Sequence, residues 1–235
     1  MPVNKEAYYL IKKELEAKEV TLVAVSKTRS ADDILELYNL GQRDFGENYV
    51  QELVDKAARL PKDIHWHFIG HLQTNKVKLI APFVQLIQGV DSLKLLKEIS
   101  KQAKLSGRVL NCLLQVHIAQ EETKFGLDEE EFTVLIKQYA GGQLPGVQIN
   151  GLMGMASFTE DMEKVRKEFQ QLKMLFDRLG THDSRLTIHD SRLPTPDSRL
   201  RTLSMGMSSD YKIAIEEGSN MVRIGSLLFG ERVKE

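Results

Sequence analysis

Only one cysteine, Cys112, occurs among the 235 residues, so an intrachain disulfide is excluded. A reduced, cytoplasmic setting is the default for such a chain. Cys112 lies in the apolar run Val109-Leu110-Asn111-Cys112-Leu113-Leu114 and reads as a small core residue rather than a reactive thiol. Charge of one sign is equally scarce. Thirty-two Lys and Arg stand against 33 Asp and Glu, a formal net charge of -1, which excludes a global pull toward nucleic acid or anionic membranes. No apolar run approaches the ~18 residues of a membrane span. The N-terminus has no uninterrupted apolar stretch of the kind a secretory signal needs, because Lys5, Glu6, Lys12, Lys13 and Glu14 break it. No linker divides the chain. What is present is 42% hydrophobic and 28% charged residues, enough for a sizeable core beneath a polar surface.

Periodicity then places the elements. Residues 3–18 form an amphipathic helix, followed by strands at 21–26, 42–45, 65–69, 84–88, 109–118, 147–152, 201–204 and 221–224. Helices fall between them at 31–40, 47–58, 74–81, 92–104, 128–139, 161–179 and 209–217, with a short one from 226. Strand alternating with helix requires a parallel sheet, since parallel neighbours need a crossover. Eight such units in one domain of this length predict a closed (β/α)8 TIM-type barrel with an extra N-terminal helix; an open doubly wound sheet is the alternative.

One segment breaks the alternation. Asp-Ser-Arg-Leu recurs at 183–186, 190–193 and 197–200. The period of seven does not make a coiled coil, because Pro194 and Pro196 interrupt any helix and each unit has a single large apolar residue. Residues 181–200 read as an exposed insertion, and His182 and His189 within it as solvated repeats.

The chemistry collects at strand ends. Lys27 terminates the apolar run Thr21-Leu22-Val23-Ala24-Val25-Ser26. It is either a solvated strand terminus or an amine partly desolvated at the barrel mouth, which frees its lone pair for attack on a carbonyl. Phosphate sites in such barrels use the loops after strands seven and eight. Gly206, Ser208 and Ser209 follow the seventh strand, and Gly225 and Ser226 follow the eighth. Ordinary capping explains one serine turn; two such turns at the two expected places point to an anion. Arg223 sits within the last strand, between Val222 and Ile224. It forms a structural ion pair or donates to a ring nitrogen of a cofactor. A permanently charged donor there keeps a pyridine unprotonated and weakens it as an electron sink.

Several motifs together carry a resemblance. They are Val25-Ser26-Lys27, Phe45-Gly46-Glu47-Asn48-Tyr49, the run from His67 to Lys76, Gly151-Leu152-Met153-Gly154-Met155, the run from Ser204 to Asp210, and Val222-Arg223-Ile224-Gly225. In order and over nearly the whole chain, they resemble the pyridoxal phosphate homeostasis protein family, which is similar to the N-terminal barrel of alanine racemase. The resemblance implies that Lys27 carries pyridoxal 5′-phosphate (PLP) as an internal aldimine. It implies that Ser208, Gly225 and Ser226 hold the phosphate, that Arg223 faces the pyridine nitrogen, and that Asn48 lies beside the cofactor. Lys124 matches a further lysine of the family near the site, or is a loop lysine in solvent. Arg29 departs from the pattern, standing where relatives often have lysine; it keeps the charge but does not readily form an imine. The insertion at 181–200 departs as well. His65, His67 and His71 raise a metal reading, which fails for want of a nearby cysteine or carboxylate motif, and Trp66 between them is expected to pack on the helix layer.

Three functions compete. The first is a non-catalytic PLP carrier in vitamin B6 homeostasis, with apo PLP-enzymes or amines as exchange partners and a monomeric state. The second is an amino-acid racemase. Relatives of that kind use a tyrosine from a second domain on the opposite substrate face, and the chain ends at Glu235 soon after the eighth strand; Tyr49 and Tyr211 are candidates by type alone. The third, a barrel enzyme on a phosphorylated metabolite, explains the phosphate turns but not Lys27 with Arg223. The first is favoured, since an open mouth suits exchange more than guarded carbanion chemistry.

Overall fold

The strands are short and apolar on both faces, as in β1 (Thr21–Val25), where Leu22, Val23 and Ala24 are all buried. Such strands suit a parallel sheet covered on each side. The computed structural model describes residues 3–119, 125–180 and 200–230. In it β1 is followed by β2 (Asp44–Glu47), β3 (His65–Phe68), β4 (Leu86–Val90), β5 (Leu110–Gln115), β6 (Val147–Met153), β7 (Thr202–Ser204) and β8 (Met221–Ile224). All pair in parallel in sequence order, and β8 returns to β1, closing the barrel. The closing register runs from Thr21 opposite Met221 to Ala24 opposite Ile224. The open sheet is thereby ruled out.

The helices begin where local chemistry starts them. α1 (Lys5–Glu16) precedes the barrel; Asn4 caps it by accepting from the Ala7 N–H at 3.0 Å. Tyr8, Ile11 and Leu15 form its buried stripe. α2 (Ala31–Asn39) and α6 (Glu129–Ala140) open on reciprocal capping boxes, Ser30 with Asp33 and Asp128 with Glu131. α5 (Leu93–Ser106) is capped by Ser92 and stops at Gly107 in the left-handed conformation. α3 (Val50–Arg59), a one-turn helix α4 (Val77–Ile80), α7 (Met162–Gly180), α8 (Tyr211–Glu216) and α9 (Ser226–Phe229) complete the outer layer. No helix among the described residues is long and apolar enough to cross a membrane.

Several boundaries differ from expectation, two of them around Glu47. The second strand covers 44–47 rather than 42–45, and α3 starts at 50 rather than 47. The ladder to β3 decides this. Glu47 stays opposite Phe68, and the Glu47 carbonyl accepts the Ile69 N–H at 2.9 Å. Likewise β5 ends at Gln115, and Val116 makes only an isolated bridge to Leu127. Apart from Leu200, the repeat segment at 181–200 lies outside the described residues.

Apolar contacts divide into two bodies. The larger lies between strands and helices. The smaller fills the lumen with Val23, Leu86, Leu113, Met153 and Met221, joined by Met155. The rest of the lumen is polar, with His67, Gln88, Ser204 and Arg223 all buried.

Candidate functional site

β1 ends its ladder at Ser26, whose N–H donates to the Gly46 carbonyl at 3.0 Å. Lys27 follows in the turn just beyond β1, and the residue is half-buried. Thr28 then takes φ +65°, a left-handed conformation that a β-branched residue adopts only under constraint. The constraint is visible. Glu52 of α3 accepts the Thr28 N–H at 2.6 Å. Lys56, one turn further along α3, donates to Glu52 at 2.6 Å, to the Ser26 carbonyl at 2.7 Å and to Glu47 Oε1 at 2.7 Å. The Ser26 hydroxyl also donates to Glu47 Oε1, at 2.6 Å. Both neighbours of Lys27 are thus clamped to α3. Burial pushes the Glu47 carboxyl up from its ordinary range, against the opposing pull of Lys56 and Ser26. Its second oxygen, Oε2, is buried without a partner.

The two turns beyond β7 and β8 meet directly. Gly206 has φ +94°, and a Cβ there would lie 2.6 Å from that of Ala214, so only glycine fits. Asp210 is the N-cap residue of α8 and accepts the Met207 N–H at 2.5 Å. Ser208 therefore does not cap α8. Its hydroxyl oxygen instead accepts the Gly225 N–H at 3.2 Å, across the gap between the turns. Gly225 packs against Val25, whose side chain and carbonyl would both lie 3.3 Å from an added Cβ. Ser226, exposed, opens α9. Closure of β8 on β1 is what brings these turns beside the segment that carries Lys27.

Arg223 points into the lumen and is 4% exposed. Its Nη1 donates to Ser204 Oγ at 2.6 Å and its Nη2 to the Gly154 carbonyl at 3.0 Å. Both partners are neutral oxygens, so these contacts are hydrogen bonds and not the structural ion pair that is one of the two readings of this residue. Burial lowers its pKa to about 10, with Asp210 opposing; it remains a cation at neutral pH. At the end of β2, Asn48 Oδ1 is buried without a partner. A Cβ at Gly70 would lie 2.7 Å from the Asn48 carbonyl, so glycine lets the chain after β3 press against Asn48.

Other candidates fall elsewhere. Arg29 donates to the Gly230 carbonyl at 2.5 Å and lies 5.7 Å from the Phe229 ring centroid, tying the β1 loop to α9. Lys124 lies outside the described residues. Tyr49 is exposed, and the Tyr211 hydroxyl donates to Glu14 of α1 at 3.2 Å, in the helix layer. His65 and His67 do share a carboxylate, which the sequence reading lacked: Asp44 Oδ1 lies 3.3 and 2.9 Å from them. His71 instead meets Asp91 at 2.7 Å and stacks on Phe125. Among the described residues no three such groups are arranged to hold a metal ion. Trp66 is buried against Phe45 in the helix-facing core, and Cys112 is fully buried. A hollow of about 290 Å³ lined by Val54, Ala57, Pro61, Trp66 and Phe83 sits outside the barrel, away from Lys27.

The clamp residues Glu52 and Lys56 carried no signal in the sequence beyond their places on an amphipathic helix. Glu47 was visible only as part of the run 45–49.

Comparison with known proteins gives one answer. The family model of the alanine racemase N-terminal domain matches residues 5–233. The pyridoxal phosphate homeostasis protein of Aquifex aeolicus is 42% identical over 212 residues, covering 90% of this chain and 86% of that one. The human protein of that name is 41% identical over 230 residues, covering 94% and 79%. The solved structure of PipY from Synechococcus elongatus without PLP superimposes with a TM-score of 0.84 at 35% identity, covering 96% of this chain and 99% of that one. Its PLP-bound form gives 0.80. The chain thus belongs to the pyridoxal phosphate homeostasis protein family, built on the alanine racemase N-terminal barrel.

Proposed function

We propose that this protein binds PLP reversibly through Lys27 and serves intracellular vitamin B6 homeostasis without robust catalysis. The observation that carries the reading is the Ser208–Gly225 hydrogen bond beside the end of β1, which joins two small-residue turns next to the segment bearing the half-buried Lys27. The names of the relatives and the PLP-bound PipY structure support the same ligand.

The residues present fit the group. PLP supplies an aldehyde that condenses with a primary amine, and an anionic phosphate that anchors it. Lys27 offers the amine, and the α3 clamp orients the backbone on both sides of it. Ser208 accepts the Gly225 N–H, so its own hydroxyl proton is left to donate to a phosphate oxygen. Gly225 lets the backbone come close, and Ser226 adds a second hydroxyl. Asn48 lies at the end of β2 with a buried amide oxygen unpartnered, a group that awaits a donor.

Arg223 faces the ring nitrogen in this reading. A guanidinium cannot accept a proton there, so the nitrogen stays an acceptor and the ring withdraws electrons weakly. This favours holding over carbanion chemistry. Tyr211 is engaged with Glu14, which removes it as a base for the second face of a substrate. The protein acts here as a cytoplasmic monomer that exchanges its ligand with amines or apo PLP-enzymes.

Incubation with PLP should produce an absorption band near ~420 nm that Lys27→Ala lacks. A band of full intensity in Lys27→Ala would overturn the assignment of Lys27. Sustained racemisation of an amino acid by the pure protein would overturn the non-catalytic part.

A further inference from the structure

Below Arg223 the lumen holds a continuous string of buried polar side chains. Arg223 Nη1 lies 2.6 Å from Ser204 Oγ, which lies 2.7 Å from Gln88 Oε1. Gln88 Nε2 lies 3.0 Å from His67 Nδ1, and His67 Nε2 lies 2.9 Å from Asp44 Oδ1. The string draws on β8, β7, β4, β3 and β2. It ends at the N-terminal edge of the barrel, opposite the mouth, where His65 Nδ1 also reaches Asp44 at 3.3 Å.

Its direction follows from the first member together with the Gln88 amide, whose Oε1 faces Ser204 and whose Nε2 faces His67. A guanidinium has donors only. Ser204 Oγ must therefore accept from Arg223, and its hydroxyl hydrogen goes to Gln88 Oε1. The remaining amide hydrogens of Gln88 go to His67 Nδ1 and, at 3.3 Å, to Met221 Sδ. His67 Nδ1 is then the acceptor of a Gln88 amide hydrogen, and Nε2 is the ring nitrogen that carries hydrogen toward Asp44. Every link points from the mouth to the far end. The last acceptor is the Asp44 carboxylate.

We propose that Gln88 is a positioning residue for the cofactor ring: through Ser204 it fixes the orientation of the Arg223 guanidinium, and it takes its own orientation from the His67–Asp44 pair. The part that concerns the ring rests on the reading above that Arg223 faces the pyridine nitrogen. The direction of the string does not. Gln88 is fully buried in the strand interior. Its effect passes through Ser204 to the one group that holds the ring nitrogen.

Two measurements test this. In the unmodified protein without PLP, nitrogen-detected NMR of the His67 ring should show hydrogen on Nε2 and an unprotonated Nδ1; hydrogen on Nδ1 overturns the direction of the string and with it the proposal. In Gln88→Met, of similar volume but unable to make either amide bond, borohydride trapping of PLP at Lys27 should persist. Its long-wavelength band should change at least about twofold in intensity relative to the parent, because the ring nitrogen is then held differently. A spectrum superimposable on the parent overturns the proposal. Absence of trapping at Lys27 in the parent itself would instead overturn the reading of PLP binding, while the NMR result would still judge the string.

Discussion

The ammonium of Lys56 lies 2.7 Å from the backbone carbonyl of Ser26, the residue directly before Lys27. A buried cation on α3 therefore fixes the end of β1. The same ammonium neutralises Glu47 and, through Glu52, reaches the amide of Thr28 on the other side of Lys27. One helix thus holds the amine-bearing position from both flanks.

Lys56→Met should be strongly destabilising. It leaves Glu47, which is fully buried, with a charge that nothing balances, and breaking one side of a buried pair costs about 3–5 kcal/mol. For a domain of this size that is a fall of roughly 6–20 °C in Tm. Calorimetry checks the stability. A lower yield of PLP trapped at Lys27 checks the link to the site.

Glu47 should also leave a signature in the pH dependence of stability. Burial raises its folded-state pKa above the ordinary glutamate value of 4.5. The folded protein then holds that proton more tightly than the unfolded chain. The contribution is full below pH 4.5 and is lost as the pH climbs through the higher folded value. Glu47→Gln should remove this component. Its stability relative to the parent should rise as the pH climbs above 4.5, read from urea midpoints.

Asp44 should behave in the opposite sense. Burial alone would raise its pKa, but hydrogen bonds and charge from His67 and His65 outweigh burial and hold it below 3.8. Its contribution is present above 3.8 and is lost as the pH falls through the lower folded value. Asp44→Asn should flatten the acid limb of the urea midpoint curve below about pH 4.

Ser208→Ala removes the acceptor of the Gly225 N–H. The cost should be about 1–2 kcal/mol in stability. The concentration of PLP needed for half-saturation should rise several-fold, whereas Ser208→Thr should restore both. Thermal unfolding and absorbance titration separate the two effects.

Cys112 should be inert. It is fully buried, and burial pushes its thiol far up, out of the range where thiolate forms. An aromatic disulfide reagent should label it only after denaturation; rapid labelling of the native protein would contradict the packing.

Much of the fold is legible in the chain because its signals are local. Apolar runs such as 21–25 and 147–153 and caps such as Ser30 and Asp128 act within a few residues of themselves. The errors came where a distant partner decided. Glu47 reads as the start of a helix until the ladder to Phe68 holds it in β2. Nothing local in the sequence singles out Lys56, whose partner is a carbonyl thirty positions earlier. Asp44 was not paired with the histidines because their strands are joined only through the intervening helix.

The sequence by itself determined the alternation of strand and helix, the small-residue turns after the last two strands and the amine after the first, since each depends on spacing and residue type along a short stretch. Closure of β8 on β1 decided that these meet, that Ser208 bonds Gly225 instead of capping α8, and that Arg223 answers through Ser204 and Gln88 to His67. Those contacts join residues far apart in the chain, and hydrogen bonds of fixed direction in a dry lumen exist only once the barrel has excluded water and brought their donors and acceptors within reach.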